Sequence, residues 1–159
     1  GQLDTTCHAF VGETVVLPCS TTTPPGELLS KSMLYWQIGT KVVHFFQNGQ
    51  DSLKAQDKKF HGRTSLFPNE MKHGNFSLKI SNVQVLDSAE YSCIYRLTED
   101  PKIKKSTIKL NVSVPPRIEE PPSPSEQIQI PSGSPADVPC LAMLPLSFLL
   151  LVPLGLWHL

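Results

Sequence analysis

Apolar and polar residues alternate in short runs through the first two thirds of the chain. The runs are Glu13–Cys19, Met33–Ile38, Lys41–Gln47, Arg63–Phe67, Phe76–Val83, Ala89–Arg96 and Lys104–Val114. In Phe76-Ser-Leu-Lys-Ile80 and Thr107-Ile-Lys-Leu-Asn-Val112 the period is two, so one face of each strand is buried and the other wet. Turn residues separate the runs: Thr23-Pro-Pro-Gly26, Asn48-Gly49 and His73-Gly74-Asn75. No helical period intervenes before the C-terminus, and no internal repeat is present. Short strands at this spacing predict an all-β sandwich of two sheets over residues 1–114.

The pattern changes after Val114. Residues 115–140 carry eight of the 15 prolines and almost nothing to bury. Such a segment cannot repay the entropy of ordering, and is expected to be an extended stalk rising about 3.1 Å per residue. Residues 141–159 contain no Asp, Glu, Lys or Arg. As a helix they would span roughly 28 Å, about one bilayer core. No basic residues follow to hold the far side of a membrane. That ending suits a glycosylphosphatidylinositol (GPI) signal, whose hydrophobic tail is removed after a small-residue triplet. Ser132-Gly133-Ser134 supplies the triplet, with Ser132 as attachment residue, although the spacer Pro135–Cys140 is shorter than the usual ~8–12 residues. A single-pass membrane helix and a truncated splice form are the alternatives. The start, Gly1-Gln-Leu-Asp4, lacks the basic and apolar run of a signal peptide, so the numbering is read as beginning at a mature N-terminus.

Charge narrows the function classes. Lys+Arg and Asp+Glu are 14 each, so the chain is neutral overall, which excludes nucleic-acid binding by bulk charge. The five histidines (His8, His44, His61, His73, His158) show no metal-ligand spacing. Nucleophile elbows, phosphate loops and zinc-protease motifs are absent. Asp57, Glu70, Asp87 and Glu90 read as solvated or salt-bridged groups. The expectation is a non-enzymatic chain with no cofactor and no metal.

Cys19 and Cys93 lie 74 positions apart in two alternating strands, with Trp36 between them and Tyr91 two residues before Cys93. A disulfide joining two sheets, a tryptophan packed on it and a tyrosine corner together mark an immunoglobulin sandwich. Two buried free thiols are the competing reading. The long Cys–Cys separation leaves room for the extra strands of the variable type. Arg63 and Asp87 then occupy the places of that type's structural ion pair. A disulfide implies an oxidising compartment. The sequons Asn75-Phe-Ser77 and Asn111-Val-Ser113 agree, and both asparagines are expected to face solvent and carry glycans. Cys7, on an earlier strand, has no third partner within the domain, which leaves a buried thiol or a bond to another chain. Cys140 would leave with a cleaved tail, or be a palmitoylation candidate if the tail stays.

Met33-Leu-Tyr-Trp-Gln37, Lys41-Val-Val-His-Phe-Phe-Gln-Asn-Gly49, Lys59-Phe-His-Gly-Arg-Thr-Ser-Leu-Phe67 and Gly74-Asn-Phe-Ser-Leu-Lys-Ile-Ser-Asn-Val83 resemble the variable-type domain of the B7/butyrophilin co-stimulatory ligands. The resemblance covers roughly residues 7–114. Where that family usually has a second, constant-type domain and a cytoplasmic tail, this chain has the proline-rich segment. The resemblance implies that a protein receptor on an opposing cell meets the sheet holding the Trp36 and Cys93 strands, and that T-cell activation is modulated. Alternation turns Tyr35, Gln37, Ile94 and Arg96 outward on that sheet. Val42 and Phe45 match contact positions of the family, and both can face outward only if a bulge separates them. Residues Tyr35, Gln37, Val42, Phe45, Ile94 and Arg96 are thus the candidate receptor-binding set, with both glycans expected away from it. The expected location is the outer face of the plasma membrane, attached through the C-terminus. Cell–cell adhesion without signalling and a soluble decoy are the other readings.

Overall fold

The computed structural model of the chain describes residues 5–119 and Cys140. Ser132, most of the proposed stalk and the whole of segment 141–159 lie outside the described residues.

Among the described residues nine strands form two sheets. They are β1 (Thr5–Phe10), β2 (Val15–Leu17), β3 (Ser32–Ile38), β4 (Lys41–Gln47), β5 (Gln50–Asp51), β6 (Thr64–Ser65), β7 (Leu78–Ile80), β8 (Ala89–Leu97) and β9 (Lys104–Ser113). The larger sheet runs β1-β9-β8-β3-β4-β5 and the smaller β2-β7-β6. All pairings are antiparallel except β1 with β9. The expected sandwich is present, with two differences in extent. The earlier strand expected around Cys7 runs over Thr5–Phe10, outside the alternating runs, burying Cys7 and Ala9 and showing His8 and Phe10 to solvent. The runs around Val15–Leu17 and Leu78–Ile80 are shorter than expected. Pro18 cannot donate to a ladder, and Asn82 turns to a positive φ of 49°.

The β4–β5 hairpin follows its turn chemistry. Asn48 and Gly49 take φ values of 54° and 81°, as a two-residue primed turn requires. Short turns of helix at Gly26–Lys31, Lys58–Phe60, Pro68–Met71 (α1) and Val85–Asp87 fill the connections.

The core lies between the sheets. Trp36 is fully buried, opposite Cys93 in the β3–β8 register, and its indole Nε1 donates to the Phe76 carbonyl at 3.0 Å. Cys19 and Cys93 form the inter-sheet disulfide, with a Cα–Cα distance of 6.5 Å. Phe76 stacks on Tyr95 at 4.3 Å, and Phe60 meets Tyr91 edge-on at 6.2 Å. The Tyr91 hydroxyl donates to the Asp87 carbonyl at 2.6 Å, completing the tyrosine corner. Burial, then the nearby Asp87 charge, push the Tyr91 phenol well above its ordinary range.

Arg63 and Asp87 pair as expected. Arg63 Nη1 lies 2.8 Å from Asp87 Oδ2 and Nη2 lies 3.0 Å from Oδ1, a two-pronged contact. The Gln84 backbone amide donates to Oδ2 at 2.8 Å, and Lys59 Nζ stands 3.5 Å from Oδ1. The Asp87 side chain is inaccessible to solvent. Burial acts to raise its pKa. The Arg63 hydrogen bonds, the Gln84 amide and the charges of Arg63 and Lys59 outweigh that and hold it below the carboxylate range. In return the Asp87 hydrogen bond raises Arg63 against its own desolvation.

Cys7 requires a correction. It is neither a buried thiol nor bonded to another chain: it forms a disulfide with Cys140, 133 residues away, with Cα atoms 5.3 Å apart. Cys7 faces inward on β1, and Cys140 packs on the same core cluster. No periodicity could pair these residues, because one lies on a strand and the other beyond a stretch without a pattern.

Candidate functional site

The outer face of the six-stranded sheet can be laid out from its register. At the end remote from Ser113, Arg96 on β8 stands opposite Met33 on β3, and Met33 opposite Gln47 on β4. The next row runs Lys105 (β9), Ile94 (β8), Tyr35 (β3) and Phe45 (β4). Below it come Thr107, Ser92, Gln37 and Val42, and then Lys109 opposite Glu90.

The anticipated bulge exists. Trp36 pairs with His44 but Gln37 pairs with Val42, so Val43 is the extra residue on β4. Val43 is fully buried, while Val42 and Phe45 are both partly exposed. The slip therefore turns both residues of the candidate set to one face. Phe45 meets Tyr35 edge-on, with ring centroids 6.1 Å apart and planes at 74°. That arrangement is favoured by the ring quadrupoles and fixes the two side chains relative to each other.

Ile94 behaves differently from the other candidates. Its register places it in the outer row, yet it is only 6% exposed, and it does not belong to the cluster between the sheets. It forms the floor beneath the row and is not a free contact. Arg96 is exposed, and its side chain makes no ion pair or hydrogen bond among the described residues. Tyr35, Gln37, Val42, Phe45, Ile94 and Arg96 thus come together on one face as a set.

The two glycan candidates differ in setting. Asn75 lies beside the smaller sheet and is bridged to Ser20. Its Oδ1 accepts from the Ser77 amide at 3.1 Å and its Nδ2 donates to Glu70. It is therefore half-buried and tied down rather than fully solvent-facing. Asn111 departs from expectation in a second way. It pairs with His8 between the inward Leu110 and Val112, so it lies on the same outer face as the candidate set. Six residues of strand, roughly 20 Å, separate it from Lys105 toward the Ser113 end.

The alternating pattern did not expose the role of His44. It is 1% exposed, with Nδ1 2.8 Å from Thr64 Oγ1 and Nε2 2.8 Å from Asp51 Oδ1. Gln56 Nε2 donates to the same Thr64 hydroxyl at 2.8 Å and to the Val43 carbonyl at 3.0 Å. This network ties β4 to β6 behind the bulge. The only sequence signal was a histidine inside an apolar run, Val42-Val-His-Phe-Phe46.

The described residues hold no group of His, Cys, Asp and Glu able to bind a metal. Two clefts, of about 350 and 240 Å³, are lined by loop and strand-edge residues, the first with Asp100, Lys102 and Lys104 at its rim and the second with hydroxyl side chains. What the surface offers is shape, apolar area and charge.

The immunoglobulin V-set domain profile matches residues 2–113. The chain belongs to the immunoglobulin V-set family. This V-set chain is 38% identical over 85 residues to the human V-set domain-containing T-cell activation inhibitor 1. That match covers 52% of this chain and 29% of the relative, so less than a third of the relative's length is represented. The structure resembles the human B7-H4 IgV-like domain with a TM-score of 0.57 and 26% identity, over 70% of this chain and 94% of the other. It resembles bovine butyrophilin with a TM-score of 0.60 and 25% identity, over 72% and 53% respectively. The V-set domain is B7-like, as its strand motifs implied, and its family is one of receptors and ligands, which are not enzymes. Among the described residues no helix is long and apolar enough to cross a membrane.

Proposed function

We propose that this V-set chain is a cell-surface ligand. It binds a receptor on an opposing cell through the outer face of the six-stranded sheet and thereby modulates T-cell activation. The observation that carries the reading is the fixed aromatic pair Tyr35–Phe45, set over Ile94 and beside an unpaired Arg96. Rigid aromatics and arginine are the side chains that dominate binding energy at protein interfaces. Similarity to a T-cell activation inhibitor supports the immune context. The test is to display the full chain on cells and measure cytokine release from co-cultured T cells during receptor stimulation. A change relative to undisplayed cells that disappears with Tyr35→Ala and Phe45→Ala is expected. An undiminished effect from the double variant would refute the face.

Attachment to the membrane runs through the C-terminal part of the chain. Two forms are distinguishable. Lipid transfer at Ser132 would cut segment 141–159 from the main chain, whereas the Cys7–Cys140 disulfide supports its retention, because residues 133–159 would stay bonded to β1 after such a cut. Treating displaying cells with phosphatidylinositol-specific phospholipase C decides between them. Loss of surface staining establishes the lipid, and persistence establishes the retained segment.

A further inference from the structure

Resting on the face assigned above, we infer the chemistry of the partner: it presents an acidic side chain to Arg96, next to an apolar contact on the Tyr35–Phe45 pair.

The two rows remote from Ser113 contain Arg96, Met33 and Gln47, then Lys105, Ile94, Tyr35 and Phe45. Neither row holds a carboxylate. Glu90, an acidic residue of this face, is one row beyond Ser92 and opposes Lys109 in register; six residues of β8, roughly 20 Å, separate it from Arg96. At the same end of the domain Glu99 is held by Lys31 at 3.1 Å. Asp51, on the neighbouring strand β5, is turned to His44. Arg96 is left with a full charge, an exposed planar fork and no partner among the described residues.

A guanidinium beside aromatic rings is a poor match for an apolar or cationic surface, since desolvating it without a partner is costly. It is a good match for a carboxylate, which accepts two parallel N–H bonds from it. The aromatic pair excludes water next to that contact, which strengthens it relative to a solvated ion pair. The lower part of the face has small and polar groups, Thr107, Ser92 and Gln37, and offers no comparable anchor. The footprint is therefore centred on the end of the sheet away from the segment that follows β9.

The experiment displays the full chain on cells, matches surface levels through an epitope tag, and counts conjugates with primary T cells by flow cytometry. Arg96→Glu is expected to lower conjugate formation about tenfold or more, as loss of an interfacial charge pair does. Arg96→Lys should lose part of it. Lys79→Glu, the same charge change at the exposed position of β7 in the opposite sheet, should leave it unchanged. Tyr35→Ala reports on the face independently. Loss with Tyr35→Ala but none with Arg96→Glu would overturn the acidic partner and keep the face. No loss with either would overturn both, and an equal loss with Lys79→Glu would reduce the effect to net charge and overturn the inference.

Discussion

Removing Arg63 is the sharpest test of how the sandwich is held together. Arg63→Ala leaves the Asp87 carboxylate in a position closed to solvent, with the Gln84 amide at 2.8 Å and Lys59 at 3.5 Å as its remaining support. Breaking a buried pair by deleting one partner costs about 3–5 kcal/mol. Lys59 remains to offset part of the orphaned charge, and Arg63 itself is 19% exposed, so the lower end, about 3 kcal/mol, is expected. For a domain of this size each kcal/mol moves Tm by about 4 °C, giving a fall of about 12 °C. Urea denaturation at pH 7 with disulfides intact reads the free energy, and calorimetry reads Tm. The pH dependence follows from the depressed pKa of Asp87. Its contribution is fully present above the unfolded carboxylate value of about 3.9, and is lost as pH falls through the lower folded value. Asp87→Asn should therefore be less stable at pH 7 and show a flatter acid limb. A loss under 1 kcal/mol for Arg63→Ala would place the pair with screened surface bridges and refute the argument.

Three further outcomes are expected. His44→Leu should cost about 2 kcal/mol by urea denaturation, because it strips hydrogen bonds to Thr64 and Asp51 from a buried site. Gly74→Ala should cost more than about 1 kcal/mol, since φ is +96° there and an added Cβ would lie 2.8 Å from the Thr21 carbonyl oxygen; an unchanged midpoint would contradict the strain. Non-reducing peptide mapping should yield the pairs Cys19–Cys93 and Cys7–Cys140, whereas a free thiol at Cys7 would remove the link to β1.

The sequence by itself determined the sandwich, its inter-sheet disulfide with Trp36 and Tyr91, and the Arg63–Asp87 pair. A strand's period of two is local, so the apolar faces could be read along the chain wherever alternation was regular. The Asn48-Gly49 turn was legible for the same reason, because its backbone angles belong to those two residues. Alternation also placed Tyr35, Gln37 and Arg96 on one face, and required a bulge before Val42 and Phe45 could join them. Only the folded sheet located that bulge at Val43, since it depends on which β3 residue each β4 residue meets. Ile94 shows the limit of facing direction as a guide: it points outward and is still buried, because exposure depends on the bulk of neighbours from other strands. The position of Asn111 on the candidate face follows from β9 lying between β1 and β8, an order that no single strand encodes. The His44 network and the Cys7–Cys140 bond bring together residues distant in sequence, so tertiary contact alone decided them.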